Sequence, residues 1–392
     1  MNKKEKFFII LGIIFISFNL RAPITAVGSI VDMIKSEFSL SNGASGFITT
    51  LPLITFAIVS PFVSKISEKL SYQKTILLGL FFILIGEFIR SYTNLFGVFL
   101  GTTFLGIGIA IGNVLIPSII KANFQNSSGP MISIYTSSMC IFAAVGAGIS
   151  VPLAKGLNYG WKNTLAIWSI LTIITIIIWM PQLLKKTNTN IQKKQLNQTS
   201  TSIWTSPLAW GVTFFMGIQS LLFYSLVAWL PTMITAKGMT SMFAGTMALT
   251  FQLTAIPATL IIPILCDKFN DQKILVALIC CLYLTGVLFL LLGTSQFLII
   301  LSVIFMSLGM GGSISLSIAF ISLKSPNAIR ASQLSGMSQS AGYLLAAIGP
   351  ITTGFIYDFT KNWNYPLIGF IILIFSLFFC GLKIGGNVTV KE

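Results

Sequence analysis

Arg21 lies inside the apolar run FFIILGIIFISFNLRAPITAVGSI, residues 7–30, in which no other residue is charged. A guanidinium keeps its proton at any biological pH. On insertion scales, a mid-helix arginine costs about 2.5–3.5 kcal/mol. The side chain must therefore face protein, water or a bound anion. Spacings of four, four and three place Ser17, Arg21, Thr25 and Gly28 on one helical face, and Asn19 stands beside them. A planar fork of donors on such a polar stripe matches a carboxylate or nitro group bidentately. The other destination is local, with Arg21 binding backbone carbonyls or capping a helix broken near Pro23.

Further neutral polar groups sit in equally apolar surroundings. Gln219 and Tyr224 fall within 207–231, and Gln339 and Tyr343 share a face at i, i+4 within 331–356. Each can orient a small solute by hydrogen bonds or bond across helices. Asn113 shares a face with Gly106 and Pro117. Gly101, Gly106, Gly108 and Gly112 in the same run suit close helix approach. Trp229 suits a membrane interface or an outer gate. The candidate substrate-binding set is Asn19, Arg21, Thr25, Asn113, Gln219, Tyr224, Gln339 and Tyr343.

Glu87 is the one carboxylate well inside an apolar run, with Arg90 on its face at i, i+3. The two are the candidates for ion coupling, with Glu87 as the proton carrier. The plainer expectation is that they neutralise each other near the outer surface, leaving Arg21 unmatched.

The chain has 392 residues, 55% hydrophobic and 8% charged, with mean hydropathy +0.90. A soluble domain carries about 25% charged residues, so this is an integral membrane protein. There is no histidine, which removes the commonest metal ligand and proton relay. Cys140, Cys266, Cys280, Cys281 and Cys380 show no metal or disulfide spacing. No G-x-x-x-x-G-K-[ST] occurs, which argues against ATP hydrolysis by this chain. An enzyme would need a paired acid–base or metal constellation. The expectation is therefore no enzyme, no cofactor and no metal.

Runs long enough to cross hydrocarbon fall near 7–30, 45–66, 75–92, 95–119, 130–152, 163–181, 207–231, 241–265, 274–292, 296–321, 331–356 and 364–384. The all-α fold expected is twelve transmembrane helices in two six-helix bundles, 1–182 and 207–392. The polar stretch 183–206 forms a cytoplasmic linker. With both termini cytoplasmic, most of the 24 basic residues lie inside, and the outside keeps Lys35, Lys155, Lys162, Lys237 and Lys361. The charge of +15 thus reports topology in the cytoplasmic membrane, not a nucleic-acid surface.

A short repeat links the halves. SKISEKLSYQK, residues 64–74, follows the second run, and PILCDKFNDQK, residues 263–273, follows the eighth. Both carry an acid–base pair at the same step, Glu68-Lys69 and Asp267-Lys268. The segments resemble weakened copies of the loop motif of the major facilitator superfamily, with Ser64 and Pro263 at the first glycine and Ser71 and Asn270 at the second. That resemblance implies two pseudo-symmetric bundles whose loops act as charged gating latches.

A narrower resemblance, to the cyanate/2-nitroimidazole transporter (CynX/NimT-type) family, rests on five ordered segments. They are Asn19–Gly28, Thr50–Pro52, Asn113–Lys121, Gln219–Pro231 and Gln339–Pro350. The chain departs from the family in its tenth span, where Gly311-Gly312 is followed by Ser-Ile-Ser instead of Phe-Pro. Losing that proline straightens the helix where substrate passes. The resemblance implies a cavity lined by spans 1, 4, 7 and 10, and alternating access by rocking of the halves. The expected protein is a monomeric carrier in lipid. Its partner is a small anion or polar solute of cyanate, nitroimidazole or carboxylate type, with a proton as the optional coupling partner. The alternatives are a proton-coupled multidrug or nitroimidazole exporter, whose usual fifth-span glycine–proline signature survives only as Gly146, Gly148 and Pro152, and a membrane sensor without transport.

Overall fold

The computed structural model describes residues 3–40, 42–124, 127–184 and 202–390. Among them, twelve helical segments are long and apolar enough to span a membrane. In hydrocarbon a backbone must satisfy its own polar groups, which leaves the helix as the economical solution here. Span 1 runs Glu5–Glu37, span 2 Gly46–Leu70, span 3 Tyr72–Tyr92, span 4 Leu95–Asn123, span 5 Ser128–Gly156 and span 6 Gly160–Leu183. Span 7 runs Pro207–Thr235, span 8 Met242–Lys268, span 9 Lys273–Leu292, span 10 Gln296–Leu323, span 11 Ala328–Thr360 and span 12 Asn364–Ile384. Spans 1 and 11 are longer than the apolar runs suggest. Of the expected linker, 185–201 lie outside the described residues, with Lys185, Lys186, Lys193 and Lys194; Lys391 lies outside them too.

The packing repeats with an offset of six. Span 1 packs on 5, span 2 on 4 and span 3 on 4; span 7 packs on 11, span 8 on 10 and span 9 on 10. Span 10 is continuous from Gln296 to Leu323, as the missing proline predicts. Asn94 and Ser295 cap the equivalent spans 4 and 10, accepting from the backbone N–H of Gly97 at 3.1 Å and Leu298 at 3.3 Å.

Glycines bring spans 3 and 4 close. A Cβ on Gly101 would lie 2.5 Å from Arg90 N and 2.6 Å from Gly86 O, both rigid backbone atoms. Gly101→Val should therefore destabilise by about 1–3 kcal/mol through overpacking. Gly28→Val, at a position with nothing within 4 Å, should leave the melting temperature of purified protein unchanged. Equal melting of the two variants would refute this account of the seam.

Two further seams join the first six spans to the last six. Span 11 packs on spans 2 and 4, and span 5 on span 8. Ser340 Oγ donates to Ala57 O at 2.7 Å and Ser335 Oγ to Asn113 O at 3.4 Å. Ser133 Oγ donates to Leu260 O at 2.6 Å, and the Ser137 and Thr259 hydroxyls meet at 3.1 Å. These bonds lie from mid-span toward the face where spans 2 and 3 join, so the halves meet tightly there.

Candidate functional site

Span 1 is not one helix. Its first segment ends at Asn19 and its second begins at Ala22, with Leu20 and Arg21 outside both. Pro23 explains the break, because it has no N–H to return to the Asn19 carbonyl and its ring crowds that turn. Arg21 takes φ −128° and ψ −47° at the N-cap of the second segment, and its carbonyl accepts from Ile24 and Thr25, both at 3.1 Å. Arg21 stands at the N-cap position without a side-chain capping bond, so the local destination is not taken; its guanidinium enters a central cavity.

That cavity, about 20 Å³, lies where the two halves meet, enough for about one water molecule. Arg21 Nη1 donates to Tyr224 Oη at 3.3 Å, and Tyr343 and Tyr135 stand close enough to feel its charge. Tyr135 donates to Asn113 Oδ1 at 3.3 Å. The Tyr343 ring lies 5.0 Å from that of Phe56 and 6.5 Å from that of Tyr224. Gln219 Nε2 donates to Ser220 Oγ at 2.7 Å, while the buried Oε1 atoms of Gln219 and Gln339 have no protein partner. No carboxylate lines this cavity. One cation, several phenols and two free amide carbonyls suit a small flat solute that accepts hydrogen bonds at one end and donates at another.

Six of the expected binding residues thus converge: Arg21, Asn113, Gln219, Tyr224, Gln339 and Tyr343. Asn19 and Thr25 do not. Asn19 is fully buried against span 6, with Nδ2 donating to Thr175 Oγ1 at 2.7 Å. Thr25 Oγ1 turns back to Arg21 O at 3.2 Å. The stripe from Ser17 to Gly28 assumed a continuous helix, and the break rotates its two ends apart. Span 5 contributes Tyr135 and Met139, and span 11 joins spans 1, 4, 7 and 10 in the lining. Tyr135 was legible only as a tyrosine in an apolar run, a weak signal.

The expected Glu87–Arg90 ion pair is absent: no contact within 4.0 Å joins them, and both side chains are buried within the protein. Arg90 Nη1 instead donates to Pro23 O at 2.9 Å, and Glu87 Oε2 lies 2.8 Å from Thr172 Oγ1. Backbone and hydroxyl partners from spans 1 and 6 have outcompeted the i, i+3 neighbour. Arg330, which precedes the apolar run 331–356, is buried in the first turn of span 11, with Nη1 donating to Gln333 Oε1 at 3.1 Å. Trp229 is half-buried between spans, donating to Pro350 O at 2.8 Å. An ion pair the sequence did not suggest, Lys162 with Glu37 at 2.7 Å, ties the end of span 1 to span 6.

The repeat loops also reach across the halves. Asp267 accepts from Ser128 Oγ at 3.0 Å and Gly129 N at 2.7 Å, and Glu68 accepts from Gln333 Nε2 at 3.4 Å. No ion pair is formed by Lys69 or Lys268 among the described residues. No group of three or more His, Cys, Asp or Glu that could hold a metal occurs among the described residues.

Twelve spans in two repeated sets of six, closing on a polar cavity between them, define a membrane carrier. The chain belongs to the Major Facilitator Superfamily, whose family model matches residues 7–350, and within it is of the cyanate/2-nitroimidazole type. It is a transporter and not an enzyme. It is 45% identical over 381 residues to the uncharacterized transporter YycB of Bacillus subtilis (strain 168), covering 97% of this chain and 93% of that one. A 2-nitroimidazole transporter of Escherichia coli (strain K12) is 34% identical over 394 residues, covering 100% of this chain and 98% of that one. The solved structure of the proton:xylose symporter XylE bound to 6-bromo-6-deoxy-D-glucose matches with TM-score 0.82 at 14% identity, covering 100% and 99% of the two chains. That last likeness is one of fold.

Proposed function

We propose that this transporter moves a small anion or electron-rich polar solute, with a carboxylate, nitro or cyanate-like end, across the cytoplasmic membrane by alternating access. The observation that carries the reading is the Arg21 guanidinium in a central cavity whose lining has no carboxylate. A cation without an acidic partner attracts an anionic or strongly polar ligand, and the low-dielectric surroundings strengthen that attraction. The phenols and glutamines then select shape and orientation. The similarity to a 2-nitroimidazole transporter supports a flat, nitro-bearing solute among the candidates.

In this reading the face where spans 2 and 3 join is cytoplasmic, as the basic loops predict. The seams between spans 2 and 11 and between spans 5 and 8 are the closed inner gate, which Asp267 and Glu68 latch. Opening that gate while the opposite end closes carries the solute past Arg21.

A thermal-shift panel on purified protein tests the substrate class with cyanate, nitrate, small carboxylates, 2-nitroimidazole and hydrophobic cations. A ligand at 100 times its Kd stabilises by about 2.7 kcal/mol, so a true ligand should raise the melting temperature clearly. At least one anion or nitro compound should do so. Stabilisation by hydrophobic cations alone would overturn the proposal in favour of a cationic drug exporter.

A further inference from the structure

Two buried side chains of span 3 hold the two sides of the break in span 1. Beyond the break, Arg90 Nη1 donates to Pro23 O at 2.9 Å. Before it, Glu87 Oε2 lies 2.8 Å from Thr172 Oγ1, which lies 2.7 Å from Asn19 Oδ1. Arg21 sits between these supports.

Counting hydrogens along the Asn19–Thr172–Glu87 chain gives a protonation state. Asn19 Nδ2 donates to Phe15 O at 2.8 Å and to Thr175 Oγ1 at 2.7 Å. Turning the amide over would set its oxygen against the Phe15 carbonyl, so Asn19 Oδ1 is the atom facing Thr172, and it can only accept. The Thr172 hydroxyl has one hydrogen to give. If it serves an ionised Glu87, two oxygens without a hydrogen face each other at 2.7 Å in a buried site. If it serves Asn19, Glu87 must supply the second hydrogen. Only a protonated Glu87 satisfies both contacts.

We propose that Glu87 is a proton-binding site, and that its protonation holds the broken span 1, and with it Arg21, in the arrangement seen here. Protonated, Glu87 donates to Thr172, which donates to Asn19. On ionisation the proton passes to water of whichever face is open, and the donor to Thr172 is gone. The carboxylate then has a stronger partner one turn along its own helix. Glu87 Oε1, Arg90 Nε and Arg90 Nη2 are all buried without hydrogen-bond partners, and an arginine–carboxylate pair would use them. Pairing through Nε and Nη2 leaves Nη1 with Pro23 O, so ionisation releases the support before the break while the one beyond it holds.

Among the described residues, the one charge acting on Glu87 is that of Arg90. Span 6 presents Thr172 and span 1 Asn19, both neutral. Span 4 offers Gly101 and Leu105 against Gly86. Span 2 has Lys65, Glu68 and Lys69 only toward its opposite end. Arg21 is turned to Tyr224.

The proton site stands independently of substrate; its coupling to flux rests on the transport reading above, so the experiment has two arms. Infrared difference spectra of purified protein in lipid should show a protonated-carboxyl band at neutral pH that Glu87→Gln removes. Thr172→Val should shift the pH at which that band titrates, which a purely structural brace would not do. Spectra identical in wild type and Glu87→Gln would overturn the proposal. In proteoliposomes with radiolabelled 2-nitroimidazole, Glu87→Gln, which can still donate to Thr172, should keep exchange but lose accumulation driven by a pH gradient. Undiminished accumulation would overturn the coupling. Flux absent from every form, with the infrared band present, would count against the substrate reading and leave the proton site standing.

Discussion

Arg21→Gln should abolish saturable transport of the true substrate while leaving the protein as stable as before, or more so. The functional loss follows from the site. Arg21 is the cation of the central cavity, and a hydrogen bond to a charged group contributes about 1.5–3 kcal/mol. Its removal should weaken binding by about 10- to 150-fold by that measure. The bidentate fork is lost with the charge, so Arg21→Lys should recover only part of the affinity. Tyr224→Phe removes one phenol that the guanidinium touches at 3.3 Å and should have the milder effect. The stability expectation runs the opposite way. Keeping an arginine at membrane depth costs about 2.5–3.5 kcal/mol on insertion scales, and here neutral phenols, Tyr224 at 3.3 Å among them, offset only part of it. A variant that melts at the same temperature or higher while losing ligand-induced stabilisation separates a binding residue from a structural one. Unaltered flux in Arg21→Gln would end the case for this residue.

Much of the site was readable because a charge or an amide in a hydrocarbon-length run has few places to go. Arg21, Asn113, Gln219, Tyr224, Gln339 and Tyr343 all stand in runs too apolar to hydrate them, and all reach the central polar cavity between the halves. The two-fold arrangement was likewise legible from paired loops around Glu68 and Asp267. What could not be read was direction. Helical spacing tells which residues share a face only while the helix persists, and Pro23 ends it between Asn19 and Ala22. Asn19 therefore turns to span 6, away from its expected neighbours.

Glu87 and Arg90 show a second limit. The i, i+3 spacing says that two side chains can meet, not that they will. Here a carbonyl beside a broken helix and a threonine of span 6 are the better placed partners. Such competitors come from tertiary packing, which the glycine contacts of spans 3 and 4 make close. Tyr135 illustrates the same point from the opposite side. A tyrosine in an apolar run can end at a membrane interface or in a core, and only the position of Asn113 selects the latter.

Asp267→Asn should shift the carrier toward the state open on the face where spans 2 and 3 join. Asp267 receives Ser128 Oγ at 3.0 Å and Gly129 N at 2.7 Å, both in the first turn of span 5. The positive end of that helix favours an anion, and Gly129 leaves room for it, since a Cβ there would lie 2.8 Å from the Asp267 carboxyl. Asparagine keeps the size and one acceptor but loses the charge. With about 1.5–3 kcal/mol at stake for the charge-assisted bonds, the closed state should lose about 10- to 150-fold in population relative to the open one. Glu68→Gln should do less, because Glu68 holds one longer contact at 3.4 Å. The measurement is alkylation of Ser133→Cys by a membrane-impermeant maleimide, with the five native cysteines replaced by serine. Ser133 is 2% exposed and bonded across the seam to Leu260 O, so its cysteine reacts only when spans 5 and 8 part. The rate should rise strongly in Asp267→Asn and slightly in Glu68→Gln. Equal rates in all three backgrounds would show that the seam is held by its mid-span serines and threonines, with the acidic loop residue contributing nothing to the balance between states.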